Sequence, residues 1–277
     1  MTSVSPGAHR KVVLAGPRLT FGFRTHIGLV RPANEDSLVA YVPADEELLA
    51  ERGGLFAVAD GMGGHSAGAQ ASQMALDTLI RSYYGPSWPG DVRAALRSAY
   101  EAADSEVRDY ASAFVGPGGM GTTLVSTVVR GSELWVASMG DSRAYLWLEG
   151  ALKRLTTDHT LAEELIAQNG ASVAAGEGRR VDAGALRRSA YGHQLTRCIG
   201  FETDDRGPDV VCESLQPGSA VLLASDGLTG PVDDEAMAAV LSVEGSPSVA
   251  CHRLVEKALE SGGADNITVL LVRRDVE

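Results

Sequence analysis

GGLFAVADGMGGHSAGAQAS, residues 53–72, holds an apolar run that stops at one carboxylate, Asp60, then four glycines in the next eight residues, then the start of a new period. A short apolar run such as LFAVAD, bounded by glycine, is the pattern of a buried strand. From Ser66 the pattern turns helical, with Ala71, Ala75, Leu79 and Tyr83 recurring four apart. YGPSWPG (84–90) ends that helix before Val92, Leu96, Tyr100, Ala103, Val107 and Tyr110 mark a second, so an antiparallel helix pair is expected.

Outward from this stretch the strands multiply. LTFGFRTHIG (19–28) and DSLVAYV (36–42) precede it; TTLVSTVV, ELWVASM and SRAYLWLE follow as an expected meander with turns at Arg130-Gly131 and Gly140-Asp141. SAVLLASDG (219–227) and NITVLLVRR (266–274) add more. Helices come in pairs and not one after each strand, which favours antiparallel sheets with helices on their outer faces over a doubly wound parallel sheet. Residues 162–194 stand apart, because NGASVAAGEGRRVDAGALRRSAYGH has almost no large apolar side chains, and are expected to be a mobile insertion. No fixed-period repeat or linker divides the chain, so one domain is expected.

Composition narrows the function classes. Hydrophobic residues at 44% and charged residues at 22% are ordinary for a folded globule. A net charge of −12 argues against a nucleic-acid surface and for an affinity toward cations. Cys198, Cys212 and Cys251 suit neither a disulfide framework nor a zinc site and point to a reducing compartment. With no apolar segment of signal-peptide or membrane-span character, the expected location is the cytoplasm.

The aspartates fall where strands end: Asp36 before one, Asp60 after another, Asp141 between two, Asp226 after VLLAS, Asp265 before NITVLLV. Strand ends are rigid, and glycine after an acid, as in Asp60-Gly61 and Asp226-Gly227, lets backbone approach a ligand closely. Crowded carboxylates resist ionisation unless a cation neutralises them, and Mg²⁺ or Mn²⁺ favours an all-oxygen shell. Taken singly, each aspartate is equally a turn former or helix cap.

RPANEDS, VADGMGGH, GMGTTL, ASMGDSRAYL, LTTDH, LTRCIG, LLASDGLTG and GADNITVLLV follow one another between about Gly22 and Val272. In this order they resemble the type 2C metal-dependent Ser/Thr protein phosphatases (the PPM family), the bacterial branch above all. The resemblance implies an α+β fold, a four-layer α/β/β/α sandwich of two antiparallel sheets flanked by helix pairs, with a flap insertion. It places one phosphatase domain over 1–277, with a core of about 20–274 and a flap of about 160–195. It also implies two Mn²⁺ or Mg²⁺ ions. Asp60 would bridge them; the Gly61 carbonyl and water-bound Glu35 would complete one site, and Asp36, Asp226 and Asp265 the other. Asp141 would join Asp226 at a looser third ion. Paired ions share a water, lower its pKa and hold it in line with phosphorus.

By the same resemblance Arg31 would grip the phosphate, since a guanidinium matches two phosphoryl oxygens. Eukaryotic relatives carry a candidate general-acid histidine directly after Asp-Gly; Met62 stands there and His65 follows three residues later, so His65 is the candidate acid, with a backbone-satisfied helix-start histidine as the alternative. Gly230 replaces an acid that many relatives carry after SDGL. Asp158-His159 is expected to cap a helix, Arg197 to pair inside the fold, and the cysteines to be buried or inert. GPGGMG (116–121) follows a helix, which is the wrong context for dinucleotide binding. Arg179, Arg180, Arg187 and Arg188 lie in the flap and either steer a phosphoprotein or form a solvated loop.

The expected activity is hydrolysis of phosphoserine or phosphothreonine on proteins, opposing a Ser/Thr kinase. The alternatives are a pseudophosphatase that binds phosphoproteins, and an enzyme for phosphotyrosine or small esters. Phosphorylated proteins and a kinase are the expected partners, with no nucleic acid and no membrane, in a monomer.

Overall fold

The computed structural model describes residues 10–13, 18–63, 66–116, 119–174, 181–201 and 207–276. The strands are β1 (Arg10–Val13), β2 (Arg18–His26), β3 (Ser37–Tyr41), β4 (Gly54–Ala59), β5 (Gly61–Met62), β6 (Gly121–Thr122), β7 (Leu124–Arg130), β8 (Glu133–Met139), β9 (Arg143–Leu148), β10 (Ala151–Arg154), β11 (Asp209–Ser214), β12 (Ala220–Ala224) and β13 (Ile267–Arg274). The helices are α1 (Glu46–Arg52), α2 (Ser66–Tyr83), α3 (Val92–Tyr110), α4 (Leu161–Ala174), α5 (Ala183–Arg187), α6 (Asp226–Thr229), α7 (Asp234–Val243) and α8 (Pro247–Glu260).

Two sheets carry the fold, one ordered β1-β2-β13-β12-β9-β10 and one ordered β11-β8-β7-β4-β3, with a β5-β6 ribbon beside them. Every pairing of named strands is antiparallel. Period-2 alternation explains the layers. In β4, Leu55, Ala57 and Ala59 join Leu76, Leu79, Leu96 and Tyr100 of α2 and α3 in one core. The intervening Phe56 and Val58 face Phe21, Leu223 and Leu270 of the opposite sheet. In β13, Ile267, Val269 and Leu271 pack toward Leu241, Leu254 and Val255 of α7 and α8. Both faces of each central strand are covered, so β4 is buried at every residue and its sequence shows a continuous apolar run.

Register places the strand ends that matter together. Ser37 pairs with Ala59, Ala224 with both Val269 and Arg143, Ile267 with His26, and Met139 with Leu124. The chain crosses between sheets from β2 to β3 and from β8 to β9 at this same end. The second crossing corrects the expected meander: Gly140-Asp141 is not a hairpin turn, because β9 leaves β8 and pairs with β12 and β10. A sandwich places its termini loops at its rims, and this rim collects the five acids.

The insertion forms α4 and α5 where it is described, with Asp182 capping α5 through Ala185 N–H and Arg187 paired to Glu163. Arg179 and Arg180 lie outside the described residues. Cys198 and Cys251 are buried, and Cys212 is exposed on β11, an edge strand of its sheet.

Candidate metal centre

Asp60 leaves β4 and is pinned on both sides by GMGTTL. Its N–H donates to Thr123 Oγ1 at 3.0 Å, its carbonyl accepts from Thr123 N–H at 2.9 Å, and the same carbonyl accepts from Thr122 Oγ1 at 2.9 Å. Gly61 is required by space: a Cβ there would stand 2.1 Å from the Gly68 carbonyl and 2.6 Å from that of Glu35. Asp36 stands before β3, where Ser225 Oγ donates to its Oδ2 at 2.9 Å. The Glu35 N–H donates to Asn266 Oδ1 at 2.8 Å, and its carbonyl accepts from Ser72 Oγ at 2.6 Å.

The carboxyls of Asp60, Asp36, Asp226 and Asp141 keep part of their surface open but are desolvated by the protein around them. Burial, followed by the charges of Asp36, Asp226 and Asp141, holds Asp60 well above the ordinary carboxylate range. Asp36 is pushed up to about 7 by burial, partly opposed by Thr268 and Ser225 hydrogen bonds. Asp141 is pushed up to about 7 by burial and then by Asp226. Asp226 is raised by burial and by the charge of Asp265, an effect its interaction with Asp60 partly opposes. Burial plus like charge is the condition a cation relieves.

The donor set fits hard divalent cations. Asp36 Oδ1 and Asp226 Oδ1 are buried without a hydrogen-bond partner among the described residues, an expensive state for a carboxylate oxygen unless a cation takes it up. Among the described residues, no three His, Cys, Asp or Glu side chains are already closed around one cation position. Asp265 is engaged elsewhere: its Oδ2 accepts from Arg31 Nη2 at 2.6 Å and its Oδ1 from Asn266 N–H at 2.8 Å.

Of the residues singled out from sequence, Asp36, Asp60, Asp141, Asp226 and Asp265 are therefore linked in one electrostatic set, with Glu35 and Gly61 on its floor and Arg31 at its rim. His65 lies outside the described residues. Four supports escaped the sequence reading: Thr123 behind Asp60, Ser225 on Asp36, Ser72 on Glu35, and Asn266. The amide Nδ2 of Asn266 donates to the Ile27 and Ala33 carbonyls at 2.9 Å each, closing the loop that carries Arg31. Their signal was only a polar residue beside each acid motif.

Asp158-His159 is not the expected helix cap. Asp158 accepts from Arg143 Nη2 at 2.8 Å and from Arg154 Nη2. His159 Nε2 lies 3.0 Å from Asp209 Oδ2, and Asp209 also holds Arg197, the inward pairing expected of that arginine. The hydrogen bonds from His159 and Arg197 hold the Asp209 carboxyl well below the usual carboxylate range, against a smaller effect of burial.

The family described as protein phosphatase 2C matches residues 24–267. The serine/threonine protein phosphatase PstP of Mycobacterium tuberculosis is 34% identical over 256 residues, covering 91% of this chain and 44% of that protein. The chain thus spans about half the length of that relative. The serine/threonine phosphatase stp of Listeria monocytogenes is 34% identical over 257 residues, 92% of this chain and 95% of that one. The solved catalytic domain of PstP in complex with two manganese ions superposes with a TM-score of 0.73 at 32% identity, over 93% of this chain and 98% of that one. The Streptococcus agalactiae serine/threonine phosphatase gives 0.79 at 28% identity, over 94% and 100%. By its matched residues and its fold, the chain belongs to the protein phosphatase 2C family.

Proposed function

We propose that this chain, taken over its 277 residues as one catalytic domain, hydrolyses phosphoserine and phosphothreonine on proteins with two Mn²⁺ or Mg²⁺ ions bound between its sheets. The observation that carries the reading is Asp60, raised by the charges of Asp36, Asp226 and Asp141, with buried carboxylate oxygens on two of those neighbours unpaired among the described residues. Asp60 would hold both ions, Glu35 and the Gly61 carbonyl would serve one, Asp36, Asp226 and Asp265 the other, and Asp141 with Asp226 a looser third.

When bound, the ions supply an activated water and offset phosphoryl charge. The chain supplies the rest. Arg31 presents a half-exposed guanidinium at the rim, whose five N–H donors are enough to keep Asp265 Oδ2 and take two phosphoryl oxygens. Thr123 fixes the backbone of Asp60 where β4 ends, so its carboxyl projects from a fixed point. His65, three residues past the family position, is the donor of a proton to the leaving oxygen.

The pseudophosphatase reading is not favoured, because Asp36, Asp60, Asp226 and Asp265 are all present. The further expectations are a cytoplasmic monomer opposing a Ser/Thr kinase. Phosphate release from a phosphothreonine peptide tests the proposal. Release should require Mn²⁺ or Mg²⁺ and stop with chelator; undiminished turnover in metal-free buffer would overturn it.

A further inference from the structure

Asp141 stands in a loop that the LTTDH motif grips from both sides. Ahead of it, Gly140 and His159 exchange two hydrogen bonds: Gly140 N–H donates to His159 Nδ1 at 3.1 Å, and His159 N–H donates to the Gly140 carbonyl at 2.9 Å. Behind it, Arg143 is held by Asp158 through Nε at 3.1 Å and Nη2 at 2.8 Å. Between them Ser142 Oγ lies 2.7 Å from Thr123 Oγ1, the hydroxyl that also receives the Asp60 N–H. Gly140 has φ 109°, and a Cβ there would meet Thr123 Cβ at 2.7 Å, so this backbone has no room to drift.

His159 is buried, at 3% exposure, and its tautomer follows from its partners. Nδ1 accepts from a backbone N–H, so the ring proton is on Nε2, where it is donated to Asp209 Oδ2 at 3.0 Å. Asp209 Oδ1 accepts from Arg197 Nη1 at 3.1 Å, and the His159 carbonyl accepts from Thr196 N–H at 2.9 Å. The imidazole thus fixes Gly140 from a base anchored in β11 and in the chain returning from α5.

We propose that His159 is a positioning residue that sets the cation affinity of Asp141 by holding Gly140. The proposal rests on the reading of Asp141 as ligand to a third, looser ion. Supports behind a ligand typically contribute about 10- to 100-fold in metal affinity. Asp158 acts on the same loop from the other side, but its arginine pair also buries charge, so His159 is the cleaner probe.

Equilibrium titration with Mn²⁺, following free ion by electron paramagnetic resonance, tests this on the whole chain. Wild type should show two tight ions and one weaker. His159→Asn places an amide oxygen near the position of Nδ1 and should keep the weak site close to wild type. His159→Gln, whose polar end reaches the Nε2 position, and His159→Leu should loosen it about 10- to 100-fold while the tight pair is unchanged, which also reports an intact fold. Asp209→Ala, at the exposed outer end of the relay, should loosen it in the same direction by less. Equal third-ion affinity in wild type, Gln and Leu variants would overturn the proposal, as would equal losses in Asn and Leu. A wild type that binds only two ions would remove the Asp141 reading and the proposal with it.

Discussion

Asp60 and Asp158 are both aspartates enclosed by this fold, and their surroundings are opposite. Asp158 sits between two guanidiniums, Arg143 and Arg154, and its side chain is 8% exposed. Asp60 is surrounded by Asp36, Asp226 and Asp141, with its own carboxyl forced well above the carboxylate range. Protein cations compensate the first; the second is left for cations the chain does not provide. A buried charge pair is worth little until broken, because desolvation cancels most of the attraction. A buried carboxylate cluster without a counter-charge stores repulsion that only binding relieves. One region is built for the fold, the other at the expense of the fold.

The largest test of that contrast is Asp60→Asn. Phosphatase activity should fall about 10³-fold, ~4 kcal/mol in the barrier, while the melting temperature of the chelator-treated protein rises near neutral pH. A variant both inactive and less stable without metal would break the comparison.

Next comes pH. In the metal-free fold Asp36 and Asp141 are pushed up to about 7 and Asp60 is likewise held well above the ordinary range by burial, whereas the unfolded chain loses those protons near 4. The native state therefore holds extra protons between these limits, and its stability from them is full at low pH and lost as pH rises through about 7. The Asp209 carboxyl, depressed by its His159 and Arg197 bonds, acts only below this window. Melting temperature in chelator should drop from pH 5 to 8, and Mn²⁺ should abolish the drop. A flat or rising profile in chelator would contradict the buried cluster.

Removing Asp158 leaves Arg143 partly buried and unpaired, and Asp158→Ala should cost about 3 kcal/mol in denaturant unfolding, with the two tight Mn²⁺ sites retained. Loss of those two ions at unchanged stability would reverse the roles of the two regions. Arg31→Lys should lower kcat/KM about tenfold, ~1.4 kcal/mol, because an ammonium cannot grip two oxygens at once. Smallest is Arg187→Ala: its pair with Glu163 is half exposed on the arginine side, and stability should move by under about 1 kcal/mol.

Much of the sandwich was legible in the sequence because its signals are local. The apolar run of β4, the four-residue spacing in α2 and the break at YGPSWPG each follow from a few adjacent residues. The meander failed because nothing local distinguishes a hairpin from a crossing: ELWVASM and SRAYLWLE are both good strands, and Gly140-Asp141 is a plausible turn. Asp182, with the helix formers after it, was a helix signal within the insertion that the low content of large apolar residues concealed.

At the site the same division holds. Sequence alone supplied the acids, their place at strand ends and the glycine that follows Asp60, since each is a property of one short segment. Tertiary structure alone decided that Ser225 reaches Asp36 across 189 residues, that Arg31 reaches Asp265 across 234, and that His159 holds Gly140 and not a helix end. Such contacts depend on which sheet each strand joins and in what register, and that is settled by the summed packing of the whole core.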